Sequence, residues 1–388
     1  MAVVALEARG EIDMAKLTVT TDGWVDRAGA LRASVAPIED AWLAAEPGDV
    51  LELQPGTYRR LTIRPSSRSP GSPPVTIEGG GVAVIGTAPV VGGSDTIYLQ
   101  GGVRDLVLSG LVMEGASRAI LKTQQPGGAR KVVVQRCVMR GGQDTVWGDH
   151  GYFTGGYTYF GNEIHGIPKE HARYLHTRQG NHYFGGNDIR ACGLTAYQEV
   201  ARIHENGTPQ PPARGVVTIE DETVIDVCLD GGSAYSFRGG CPGGDIFMNR
   251  VRVYLGSDPN APASYRGKAA GAILIDQGTE SQPGKGDGAH PGKYRLAQLR
   301  DVEVEIGTVS APEGSARRPS LTIGNVETAV IESGRIVSVG GIEALDVKRT
   351  VDRFLIGRGV HVEGPVKYHG ERWGNVDLFR TAHPECVA

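Results

Sequence analysis

The chain of 388 residues holds 57 glycines, about twice the usual roughly 7%, yet shows no triplet period, which excludes a collagen. A hydrophobic share of 40% can bury a core and excludes a disordered chain. With 40 Lys and Arg against 44 Asp and Glu, a net charge of -4, there is no basic excess, so no nucleic-acid partner is expected.

From the first residue onward, the apolar stretch Ala2-Val3-Val4-Ala5-Leu6 stops at once against Glu7, Arg9, Glu11 and Asp13. It is too brief for a signal-peptide core, so a cytoplasmic or virion-associated protein is expected unless a signal was removed before this numbering. Nowhere does an apolar run reach about 18 residues, and no membrane partner is expected. Cys137, Cys192, Cys228, Cys241 and Cys386 form no Cys-x-x-Cys pair and read as buried free thiols.

Pro37 in a first turn, Glu39 and Asp40 at the positive end of the dipole, apolar Ile38, Ala41, Trp42 and Ala45 at helical spacing, and the stop Pro47-Gly48 predict a short helix over 37–46. Short strands follow, alternating apolar and polar residues between Gly and Pro: Val50 to Tyr58, Leu61-Thr62-Ile63 and Val75 to Gly79. Similar segments then recur around Lys122, Gly148, His176 and His204, at steps of roughly 26 to 28 residues, and again at Arg238 and Asp276. Between them lie second strands such as Thr158 to Asn162 and His182 to Asn187. A period in the twenties with several strands per repeat and no leucine-rich signature predicts a solenoid of stacked β-coils.

In these features the sequence resembles the right-handed parallel β-helix of the pectin-lyase-like superfamily. The helix followed by "PGDVLELQPGTY" is similar to the N-terminal cap and first coil of its lyases and epimerases, and Asn162 and Asn187 in "YFGNEI" and "YFGGNDI" are similar to its turn positions. The resemblance implies an all-β solenoid with an N-terminal capping helix. The expected organisation is an N-terminal strand segment (1–35), the β-helix (36–365) and a C-terminal tail or cap (366–388).

Aligning the repeats on Leu121, Trp147, Leu175, Ile203, Phe237 and Ile275 as an inward column sets their neighbours outward. Lys122, Asp149, His150, His176, Arg178, His204, Glu205, Arg238 and Asp276 then share one face. Abstracting the C5 proton of a uronate requires a cation beside the carboxylate, a base near neutral pKa and an acid. Lys122, Arg178 and Arg238 suit the first task, His150 or His176 the second, and Tyr152, Tyr157 or Tyr174 the third. Gly148-Asp149-His150, then Lys169-Glu170-His171 and Arg178, also resemble the motifs of β-helical mannuronan C5-epimerases. This sequence lacks the proline between Asp149 and His150 and has Gly151 where the family has a second acid. The resemblance matches Asp149 and His150 to the first motif, Lys169 and His171 to the second and Arg178 to the arginine; taken with the aligned face, the expected catalytic residues are Asp149, His150, His176 and Arg178, with Lys122, Tyr174, His204, Glu205, Arg238 and Asp276 expected to bind substrate.

The expected function is an enzyme acting on an acidic polysaccharide or oligosaccharide by β-elimination or C5-epimerisation. A glycoside hydrolase using Asp149 and Glu205 is the enzymatic alternative. A catalytically silent β-helix, such as a phage spike or surface structural protein assembled as a homotrimer, is the alternative from another class. No metal site and no required cofactor are expected; calcium has no ligand motif here, and the acids Glu220, Asp221 and Glu222 read as a solvated corner. Residues 206–214 and 278–293, rich in Gly and Pro, read as surface loops.

Overall fold

The computed structural model describes residues 14–86, 95–115, 119–123, 128–140, 147–151, 155–167, 171–176, 180–193, 195–200, 215–227, 233–238, 244–256, 271–276, 293–306, 318–338 and 341–388. Among them, alternating apolar and polar residues build three long sheets of 14, 11 and 12 strands, visited in turn by each coil. Pairing is parallel throughout, except in the hairpins that join Lys16–Thr20, Gly23–Val25 and Leu31–Ala33 at one end and Val366–Tyr368 with Glu371–Trp373 at the other. The chain is therefore a right-handed parallel β-helix. No helix among the described residues is long and apolar enough to cross a membrane.

Because side chains alternate along a strand, a parallel register stacks like upon like from coil to coil. In the first sheet one inward line runs Leu51, Ile77, Leu108, Val134, Tyr159, Phe184, Ile219 and Met248, every member buried. The corner from the first sheet to the second repeats as faithfully. Arg136, Gly161, Gly186, Asp221 and Arg250 all take positive φ, between 53° and 62°. That region suits glycine best, and Gly161 and Gly186 use this freedom.

Directly after each of these corner residues one side chain turns inward. In successive coils it is Cys137, Asn162, Asn187, Glu222 and Val251, all buried. Asn162 Oδ1 accepts from Cys137 N (2.8 Å), and Asn187 Oδ1 accepts from Asn162 N (3.0 Å). Each amide also donates to a strand carbonyl, Asn162 to Val134 O and Asn187 to Tyr159 O, both at 3.0 Å. The ladder satisfies polar groups that the corners would otherwise strand in the core.

Glu222 corrects the expectation of a solvated acidic corner. Only Asp221 is exposed there, gripped by Arg250 through two hydrogen bonds of 2.6 and 2.9 Å, whereas Glu222 follows the corner residue and enters the core. Tyr157 is likewise a core residue of the first sheet, 1% exposed, and cannot serve as a surface acid.

Helix α1 (Pro37–Ala44) packs against Lys16–Thr20 and Leu61–Ile63, with Ile38, Ala41 and Trp42 buried and Ala45 beside them. Trp42 Nε1 donates to Arg64 O (2.8 Å), and the Arg68 guanidinium lies 4.0 Å above its ring. Arg68 Nη1 also donates to Trp42 O and Ala45 O, which satisfies carbonyls that the helix end leaves open. At the far end, helix α2 (Val376–Ala382) buries Phe379 against Phe354 and Tyr368, and Val387 forms a parallel bridge to Ile356. Cys137, Cys192 and Cys386 are buried free thiols, as expected; Cys228 and Cys241 lie outside the described residues, as do residues 206–214 and 278–292.

Candidate functional site on the third sheet

Several of the residues singled out from the sequence lie on strands of the third sheet. One register line runs Thr62, Tyr98, Lys122, His150, Tyr174, Gln198 and Ser236. On its flanking line Leu121, Asp149, Arg173, Tyr197 and Tyr235, the side chains of Leu121, Arg173, Tyr197 and Tyr235 are fully buried. Two residues further along, His176 is registered against Val200 and Val200 against Arg238, while Asp276 follows Ile275, the partner of Phe237.

These pairings correct the repeat alignment. Lys122 stands beside His150 rather than Gly148, and Val200 takes the position assigned to His204. Leu175, Phe237 and Ile275 do share an inward line, but Glu199 stands on it where Ile203 was expected. The register brings Lys122, His150 and Tyr174 together on adjacent strands, about 4.8 Å apart per step. It sets His176 and Arg238 on one register line through Val200. Asp149 is registered with Leu121 and Arg173, one position before His150. Tyr152, Lys169, Arg178, His204 and Glu205 lie outside the described residues.

Around this centre the side chains are tightly held. Tyr174, 8% exposed, lies against His171 with ring centroids 4.8 Å apart, and His171 Nδ1 sits 2.6 Å from Thr195 Oγ1. Lys122 is half-buried. Asp276 accepts from Asn325 Nδ2 at 2.8 Å.

Behind Tyr174, on the lumen side, lies a polar network that the sequence reading missed. Arg173 forms a two-bond fork with Glu222, both distances 2.8 Å, and its Nε donates to Ala196 O. Glu222 also accepts from Tyr235 OH (2.7 Å) and Asn187 Nδ2 (2.5 Å). The guanidinium sits 4.6 Å from the Phe184 ring centre. Burial alone would lower the Arg173 pKa, but the Glu222 charge and its hydrogen bonds outweigh burial and raise it. Burial and the same carboxylate push the Tyr235 phenol well above its usual range. The cation is therefore retained, and the network lies beneath the outer face.

Among the described residues no group of three or more His, Cys, Asp or Glu is placed to hold a metal ion.

No family model matches the chain, and no curated protein sequence matches it. Two solved structures share its fold. The chain is similar to pectate lyase Pel9A, with 13% identity and a TM-score of 0.50, over 84% of this chain and 76% of that one. It is similar also to an alginate lyase from Paenibacillus sp. str. FPU-7, with 14% identity and a TM-score of 0.53, over 91% of this chain and 99% of that one. At such identities the likeness is one of fold.

Proposed function

We propose that the chain is a carbohydrate-active enzyme that binds an acidic polysaccharide across the outer face of the third sheet and removes the C5 proton of a uronate. The observation that carries this reading is the register line Lys122, His150, Tyr174, which sets a cation, an imidazole and a phenol on three adjacent strands. The fold shared with proteins named as a pectate lyase and an alginate lyase supports it.

The chemistry divides among these groups. Lys122, with Arg238 and Arg178 as further candidates, neutralises the uronate carboxylate and stabilises the charge that develops when C5 is deprotonated. Neutral His150 or His176 takes the proton. If Tyr174 then protonates the departing O4, the chain is cleaved by β-elimination; if a proton returns to the opposite face of C5, the sugar is epimerised.

Incubation with a panel of uronate polymers in deuterated water tests this directly. Elimination gives an unsaturated, ultraviolet-absorbing product, and epimerisation gives deuterium at C5 without shortening the polymer. Neither product, together with no binding to any acidic polymer, would overturn the enzyme reading and favour a structural β-helix.

A further inference from the structure

A cavity of about 280 Å³ lies between helix α1 and the start of the third sheet, close to the roughly 300 Å³ at which small-molecule sites begin. Its walls include Glu39 and Leu43 of α1, and Arg59, Arg60, Thr62 and Arg64. Two of the arginines are committed: Arg59 pairs with Glu39 Oε1 at 3.1 Å, and Arg60 Nη2 donates to Gly115 O at 2.7 Å. Arg64 is different. Its backbone carbonyl is anchored by Trp42, but its guanidinium is exposed and has no ionic partner among the described residues. Glu39 serves the wall through its Oε1, which also lies 3.4 Å from Thr62 N, while its Oε2 is buried.

An uncommitted guanidinium at a cavity calls for a ligand that carries a carboxylate. The half-exposed Leu43 adds an apolar wall. Position supplies the rest of the argument. Thr62, in the wall, opens the register line that continues through Tyr98 and Lys122 to His150, three strand steps or about 14 Å away.

We propose that this cavity is a terminal subsite for an acidic sugar, with Arg64 holding a uronate carboxylate. The proposal rests on the reading of the third sheet as a polyuronate-binding face, and assigns that face one closed end.

Calorimetric titration with a length series of uronate oligosaccharides, disaccharide to octasaccharide, tests it. For the parent protein, affinity should step up by about tenfold once the oligomer is long enough to span from His150 to the cavity. Arg64→Gln should abolish the step while leaving shorter oligomers unaffected, and Arg64→Lys should keep most of it. The same series with carboxylates reduced to alcohols should show no difference between parent and Arg64→Gln. If Arg64→Gln follows the parent at every length, the subsite is overturned and the enzyme reading stands. If no oligouronate binds the parent at any length, both are overturned.

Discussion

Arg173 and Glu222 meet inside the solenoid as a two-bond ion pair, with both side chains fully shielded from water. Arg173 belongs to the third sheet, while Glu222 follows a corner of the first, so the pair crosses the lumen. It also reaches past the coil that contains Asn187, whose amide donates to the same carboxylate. Breaking one member of such a pair strands a buried charge, which costs about 3–5 kcal/mol, whereas removing both charges can be nearly neutral. Arg173→Met alone should lower stability by about that amount in urea unfolding. Combining it with Glu222→Gln should restore a large part. A single Arg173→Met variant as stable as the parent would mean that the pair contributes nothing to holding these coils.

Trp42 is the largest buried side chain of α1, and three interactions converge on it: core packing, the hydrogen bond to Arg64 O, and the Arg68 guanidinium above the ring. Trp42→Ala should cost about 3–5 kcal/mol through the cavity it leaves. Trp42→Phe retains most of the packing and should cost less. Thermal unfolding of the two variants checks this order, and equal losses would assign the effect to the lost hydrogen bond instead.

The Cys137 and Cys192 thiols are both pushed up to about 12 by burial. An unfolded thiol titrates near 8.5, so as pH rises the unfolded chain loses these protons first. The contribution is fully present below about pH 8.5 and drains between there and about 12, at about 1.4 kcal/mol per pH unit for each thiol. Cys137→Ala should flatten this alkaline limb in urea unfolding between about pH 8 and 10. The native thiols should also resist alkylating reagents that modify them in denaturant. Parallel stability curves for parent and variant would refute the linkage.

If His150 or His176 is the base, activity requires a neutral imidazole, and turnover should climb with pH through the range where an ordinary histidine titrates, near about 6.5. The double substitution His150→Gln with His176→Gln keeps hydrogen-bonding capacity but removes the base, and should lower the rate by about 10²- to 10⁴-fold. The two single variants separate the candidates. An unchanged rate in the double variant would exclude both histidines from proton transfer.

The parallel solenoid is legible in the sequence because glycine corners and alternating strands recur, and Ile38, Trp42 and Ala45 are buried as their spacing predicts. The register is less so. Aligning on apolar midpoints at a near-constant step slips by two residues at Lys122, because coils differ in length where the chain passes between sheets. The corners preserve the register better: Gly161-Asn162, Gly186-Asn187 and Asp221-Glu222 occupy equivalent positions. Aligning on that dipeptide would have placed Glu222 inside. Arg173 would have stayed hidden, since a lone arginine in a polar stretch reads as surface until its carboxylate is found across the lumen.

Consider, last, how the first sheet terminates. Its final coil strand, Arg353–Ile356, would present bare backbone to any other strand, but Val387 bridges to Ile356, Ala388 N donates to Ile356 O, and Phe379 covers the lumen beside it. At the opposite edge stands Leu31–Ala33, only three residues long and bearing Arg32. A solenoid with two open, matching ends would stack head to tail into filaments, since such contacts never close on themselves. The residues after Tyr368 therefore cover the strand edge and the lumen at this end, where an open solenoid would offer a template for another chain.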